Sequence, residues 1–167
     1  MTSSNYIVDS SSLIELNRHN PIDVFHCVWK NLESLIGKGF LVAPSEVLNE
    51  ITERDDLLAK WVKEQDRFFR DPTEKQIEIV KDILKLYPSM VRENRTYDAD
   101  PCVIALAIEM RTNKQQTLIQ IMRVVGTEEK LKGEKIRIPF VCQKYQVDWI
   151  DIIEMFRIEG WKFKVSK

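Results

Sequence analysis

Apolar positions along this chain fall into two spacings that take turns from one end to the other. Tyr6-Ile7-Val8, Phe40-Leu41-Val42-Ala43, Ile121 to Val125 and Val147-Asp148-Trp149-Ile150 are short, mostly continuous apolar runs of strand length. Between them the apolar residues recur at helical spacing. Ile22, Phe25, Val28, Trp29, Leu32, Leu35 and Ile36 predict an amphipathic helix after Pro21, closed by Gly37 and Gly39. A shorter helix is predicted from Leu13 toward Arg18, capped by Ser10, Ser11 or Ser12. Others follow Pro44 (Val47, Leu48, Ile51), span about Asp56 to Phe69 (Leu57, Leu58, Trp61, Val62) and run from Glu74 to Leu86. Tyr87 to Asp98 reads as a polar, Pro-containing loop. The next helix is expected from Pro101 to Met110 with Asp100 as its N-cap, because proline suits the first helical position and its predecessor avoids helical dihedrals. Gly126 to Lys135 reads as a charged loop. Pro139 opens a short helix, and Asp151 to Glu159 forms the last one before Gly160.

Apolar strands separated by helices predict an α/β fold: one domain, residues 1–167, with a central parallel sheet of about four to five strands flanked by helices on both faces. No internal repeat or linker divides it. With 44% hydrophobic and 31% charged residues the composition is that of a globular chain, and no apolar run reaches the roughly 18 residues that a bilayer span requires. Met1 to Asn5 lack the basic start of a signal peptide, so the cytoplasm is the expected compartment.

Three cysteines, Cys27, Cys102 and Cys142, are far apart with no CxxC pair, which argues against zinc and disulfide frameworks and for buried, reduced thiols. His19 and His26 have no nucleophile at a recognisable spacing, and the serines form no Gly-x-Ser-x-Gly elbow. A GxGxxG loop and a P-loop are both absent from the sequence. The four tryptophans sit at core-like positions. A net charge of −1 does not announce a nucleic-acid binder. The distribution is uneven, however. From Arg111 to Arg137 there are seven bases (Arg111, Lys114, Arg123, Lys130, Lys132, Lys135, Arg137) against three acids, a stretch that is either a solvated loop or a phosphate-tracking surface.

In an open α/β sheet, ligands lie beyond the carboxyl ends of the strands. Acids gather at those positions here: Asp9 after the first strand, Glu46 and Glu50 on one face of the helix after the second, Asp98 and Asp100 at the start of the Pro101 helix, Glu128 and Glu129 after the third. Taken singly, each reads equally as a turn residue, a cap or a solvated face.

Together they resemble the motif set of the PIN-domain nucleases. Tyr6-Ile7-Val8-Asp9-Ser10-Ser11-Ser12-Leu13-Ile14 is similar to the family's opening strand, acid and helix start. Pro44-Ser45-Glu46-Val47-Leu48-Asn49-Glu50-Ile51 resembles the second motif, Asp100-Pro101-Cys102-Val103-Ile104-Ala105-Leu106-Ala107 the third, and Val124-Val125-Gly126-Thr127-Glu128-Glu129 the fourth. The resemblance covers about Tyr6 to Trp161. It is strongest to a bacterial and archaeal branch with an Asp-Ala-Asp-Pro stretch and a tail like Ile138-Pro139-Phe140-Val141-Cys142 through Gly160-Trp161.

That resemblance implies a metal-dependent endoribonuclease, similar to the toxins of toxin–antitoxin pairs, with Asp9, Glu50, Asp100 and Glu129 catalytic. Asp9, Asp100 and Glu129 would hold Mg²⁺ or Mn²⁺, hard cations suited to carboxylate oxygens. Such a cation makes hydroxide available near neutral pH and stabilises in-line attack on phosphorus. The fourth acid is usually Asp; here Glu128 and Glu129 both fit and spacing favours Glu129, while Glu46 competes with Glu50, favoured for its place before Ile51. Ser11, Asp98, Thr127, Glu128, Glu46, Arg95 and Lys130 are the supporting candidates, Arg95 and Lys130 to position an RNA backbone. Expected partners are RNA, an antitoxin protein and a second copy of the chain. The alternatives are a non-catalytic PIN-fold module that binds RNA or protein and, ranked lower, a phosphatase-like enzyme with Asp9 as nucleophile, which lacks a second Asp two residues on.

Overall fold

The computed structural model describes residues 3–54, 56–96, 98–113 and 121–164. Five strands, β1 (Ser3–Val8), β2 (Leu41–Pro44), β3 (Phe69–Arg70), β4 (Ile121–Gly126) and β5 (Asp148–Ile150), form one sheet in the order β3-β2-β1-β4-β5. Every pairing is parallel. The helices are α1 (Ser10–His19), α2 (His26–Gly37), α3 (Ser45–Thr52), α4 (Leu57–Lys63), α5 (Glu74–Leu86), α6 (Asp100–Thr112), α7 (Ile138–Lys144) and α8 (Ile152–Ile158). A single 3-10 turn, Pro88–Met90, lies between α5 and α6.

From β1 the chain winds outward through β2 to β3, then crosses back to β4 and winds the other way to β5. Right-handed crossovers therefore put the first helices on one face and the later ones on the other. The contacts follow this division: α2 and α3 pack on β2, with α1 against α3 and α4, whereas α6 packs on β1, β2 and β4 and against α5 and α7. Covered on both faces, β1 has no polar side to spare, and Tyr6, Ile7 and Val8 are completely buried. Edge-on contacts of Trp29 with Trp61 and of Trp61 with Phe68 fill the core of the first face.

The reversal of winding leaves a crevice between the carboxyl ends of β1 and β4, the place where such sheets hold ligands. Gly126 sets how closely those ends approach. A Cβ there would come within 2.8 Å of Val8 Cγ1 on the register partner, so only glycine fits.

Several local expectations are revised. The three serines do not precede the first helix but form its opening turn, and Asp9 is the N-cap residue. Asp100 is likewise the first helical residue of α6, with Ala99 before it as cap. The helix expected to reach Phe69 ends at Lys63, and Phe69-Arg70 pairs with Ala43 and Pro44 as β3. A two-residue strand has no periodicity to read, and Phe68 and Phe69 continue the apolar pattern that precedes them. Cys27 is exposed rather than buried; Cys102 is half-buried and Cys142 buried, all three free thiols. Among the described residues no helix is long and apolar enough to cross a membrane.

Candidate active site

Asp9 leaves β1 at its last hydrogen-bonded step, its N–H donating to Gly126 O at 2.8 Å. As N-cap it has extended backbone, yet its carboxylate makes no capping bond to α1. The side chain faces β4 instead. Ser11 Oγ donates to Asp9 Oδ2 at 2.7 Å and Thr127 Oγ1 donates to the same oxygen at 3.2 Å. Both hydroxyls also serve the loop after β4: Ser11 Oγ accepts from the Glu128 N–H at 3.1 Å and Thr127 Oγ1 from the Glu129 N–H at 3.2 Å. Two small hydroxyl residues thus lock the strand ends together around one carboxylate that is only 2% exposed.

Glu50 enters from α3. Its Oε2 accepts from Ser10 Oγ and its Oε1 from the Ala99 N–H at 2.8 Å, which ties the first turns of α1 and α6 to one acid. Asp98 is oriented by the Arg92 N–H, 2.8 Å from Oδ2, while its Oδ1 is buried without a hydrogen-bond partner. Asp100 is 7% exposed, and no hydrogen bond to its carboxylate occurs among the described residues. Carboxylate oxygens of Glu50, Asp98 and Asp100 all lie within 4.8 Å of one another. Glu129 Oε2 accepts from the Ile138 N–H at the start of α7, and its Oε1 lies 3.6 Å from Arg92 Nη2.

Electrostatics follow from this crowding. Burial pushes the Asp100 carboxyl up to about 9, helped by the charges of Asp9, Glu129, Asp98 and Glu50. Asp9 is raised chiefly by burial, which outweighs the opposing hydrogen bond from Ser11, with Glu129 adding to the rise. Glu50 is raised by burial in spite of its bonds to Ser10 and Ala99. Fully ionised, the cluster would carry more negative charge than its own hydrogen bonds satisfy, and so it retains protons.

The acids open on a cleft of about 430 Å³ lined by Asp9, Glu50, Asp100 and Glu129, and by Arg18, Arg54, Arg92, Arg95 and Arg137. The four expected acids and Arg95 all line this cleft, while the carboxylates within ligating distance of one another are those of Glu50, Asp98 and Asp100 rather than the expected trio Asp9, Asp100 and Glu129. Ser11 and Thr127 support Asp9 as described, and Asp98 flanks Asp100. The two open choices separate by position. Glu46 lines a different, largely apolar cavity with Gln76 and Cys102, whereas Glu50 lines the cleft. Glu128 accepts from the Ile152 N–H at 2.9 Å and faces a hollow beside Leu16 and Ile153, whereas Glu129 lines the cleft.

Lys130 pairs with Asp151 at 3.2 Å and lines a neighbouring hollow with Thr127 and Glu129 rather than the cleft itself. Described members of the basic stretch are placed differently. Arg111 donates to the carbonyls of Tyr145 and Gln146, Arg137 lines the cleft, and Lys114 lies outside the described residues. The arginines of the cleft instead come from four segments, Arg92 and Arg95 sharing one, and Arg18, Arg54 and Arg92 were not singled out from the sequence. Nor was Ser10, whose bond to Glu50 depends on the packing of α1 against α3. His19 lies 3.4 Å from Glu15 on the same helix and His26 is exposed.

Fold and site together define an open, all-parallel α/β domain with an acid cluster in its topological crevice. The chain belongs to the family described as Domain of unknown function (DUF4411), which it matches over residues 6–163, a span that contains every acid of the cleft. No curated protein matches it.

Proposed function

We propose that this chain is a PIN-type endoribonuclease that depends on a divalent cation. The observation that carries the reading is the convergence of Asp9, Glu50, Asp100 and Glu129, from four separate segments, in one arginine-lined cleft. The donor set suits a hard cation: it is carboxylate oxygen throughout, with no histidine or cysteine lining the cleft. Asp100, buried with no hydrogen bond to its carboxylate among the described residues and with its carboxyl raised to about 9, is an acid whose ionised form lacks a partner. Asp100 would hold Mg²⁺ or Mn²⁺ together with Glu50 and Asp98, whose oxygens lie within 4.8 Å of its own, and Asp9 and Glu129, the other acids of the cleft expected to take part, would complete the shell directly or through water. When bound, the cation supplies positive charge to an in-line displacement at phosphorus and promotes ionisation of water.

The chain's own groups do the rest. Ser11 and Thr127 fix the orientation of Asp9, and Ser10 and the Ala99 N–H fix that of Glu50, so neither acid needs to reorganise as charge develops. Arginines reach phosphate oxygens through forked N–H pairs and position a backbone without reading its bases. Six acids line the same cleft, Glu15 and Glu53 among them, so the five arginines alone do not make it positive and a bound cation would be needed to turn its field toward a polyanion. A toxin role with an antitoxin partner, a homodimer and a cytoplasmic location belong to the same reading.

Purified protein and an Asp9→Asn, Asp100→Asn double variant, each with single-stranded and structured RNA in Mg²⁺, Mn²⁺ or EDTA, form the test. Metal-requiring cleavage by the wild type that vanishes in the folded variant is expected. Cleavage that persists in the variant would overturn the site. RNA binding without cleavage by the wild type would favour a non-catalytic module, a second reading that draws on the five cleft arginines alone.

A further inference from the structure

Arg92 stands apart from the other cleft arginines because two site acids hold it. Its N–H donates to Asp98 Oδ2 at 2.8 Å, and its Nη2 lies 3.6 Å from Glu129 Oε1. The segment it begins is fastened again at its far end, where the Ala99 N–H donates to Glu50. Backbone from Arg92 to Ala99 is therefore pinned to the site at both ends. Among the described residues the guanidinium itself is held by one long ion pair, and its side chain is 44% exposed.

A partly exposed pair at that distance contributes little and exchanges easily. Glu129 is also one of the acids assigned to the cation. A divalent ion and a guanidinium seeking the same carboxylate oxygen compete for it, and the loser needs a new anion nearby. A guanidinium is built to grip phosphate at two points.

We propose that Arg92 is a substrate-phosphate-binding residue that rests on Glu129 until a divalent cation claims that acid, and then turns to a phosphate of the substrate strand. The proposal rests on the nuclease reading above. It adds a thermodynamic consequence. Phosphate that draws Arg92 away frees Glu129 for the cation, so cation and nucleic acid strengthen each other's binding.

The test uses the full chain, with Mn²⁺ titrated by calorimetry and a fluorescein-labelled 2′-deoxy oligouridylate, which an endoribonuclease does not cut, titrated by anisotropy with and without Mn²⁺. Arg92→Gln should bind Mn²⁺ about two- to fivefold more tightly than wild type, the scale of losing a partly exposed ion pair. The same variant should bind the oligouridylate more weakly when Mn²⁺ is present. Arg92→Lys keeps the charge but loses the fork, so its Mn²⁺ affinity should stay near wild type while oligouridylate binding falls. Arg137→Gln removes a cleft arginine that has no ion pair with a site acid among the described residues. It should weaken the oligouridylate and leave Mn²⁺ affinity nearly unchanged. Opposite signs for the two ligands are the signature that a merely structural Arg92 would not give. An Arg92→Gln protein that binds Mn²⁺ no more tightly than wild type, or no more tightly than Arg137→Gln, would overturn the proposal. A wild-type protein that binds no Mn²⁺ would overturn the nuclease reading itself.

Discussion

One helix carries two buried acids whose surroundings could hardly differ more. Glu109, in the last turns of α6, is 9% exposed and fully employed: Thr73 Oγ1 donates to one carboxylate oxygen at 2.7 Å and Gln76 Nε2 to the other. Those bonds fasten α6 to the start of α5, where Thr73 is also the cap that accepts from the Gln76 N–H. Asp100, at the other end of α6, is slightly more buried and has four acids for company instead of donors. Burial alone therefore does not distinguish the two. What separates them is whether the surrounding protein answers the charge. Glu109 completes a structure, while Asp100 leaves a deficit for something else to fill.

The contrast is sharpest in activity. Asp100→Asn should lower metal-dependent RNA cleavage by at least about 100-fold, the scale of losing one electrostatic group from a reaction centre. Glu109→Gln, assayed in parallel, should retain most of it. Stability reverses the order. Glu109→Ala strips the buried Gln76 amide of its acceptor and should cost about 1–3 kcal/mol in urea denaturation, with Mn²⁺ affinity unchanged. Asp100→Asn should cost no stability in EDTA.

The pH dependence has a sign that follows from Asp100. Its folded carboxyl titrates at about 9 against an ordinary 3.8, so the folded state keeps a proton that the unfolded state has released. Stability from this group is fully present below the unfolded value and drains away as pH rises toward 9. Melting temperature in EDTA should therefore fall between pH 5 and pH 8 by a margin that shrinks in Asp100→Asn. Saturating Mg²⁺ should raise the melting temperature most at the alkaline end, where the acids are easiest to ionise. The smallest effect belongs to Lys130. Its pair with Asp151 is largely exposed, and Lys130→Ala should change stability by less than about 0.5 kcal/mol and leave cleavage intact.

Much of this arrangement could be read from residue order. The sheet was legible because its strands are apolar runs between helical periodicities, and Asp9 and Glu129 because each follows such a run. What stayed hidden depends on distance through space. Asp100 was expected as a site acid but also as the helix cap; the helix instead begins on it, one residue after Ala99. Arg18, Arg54 and Arg92 are isolated bases in three unrelated segments, with no shared spacing to connect them. Glu46 and Glu50 are separated only by which side of α3 faces α1, a matter of packing rather than pattern. β3 was lost because pairing with β2, not its own two residues, makes it a strand.

Val8 and Gly126 also bear on how such a sequence can drift. With 2.8 Å between Val8 Cγ1 and the point where a Cβ would stand on Gly126, neither position is free to change alone. Alanine at 126 is tolerated only after trimming at 8, and trimming at 8 first opens a gap at a completely buried position. The two sites behave as a single inherited unit, crossing between states by a compensated double step. Because that unit sits directly beneath Asp9 and Thr127, the lineage can remodel its outer loops far more readily than the spacing of the strands that present its acids.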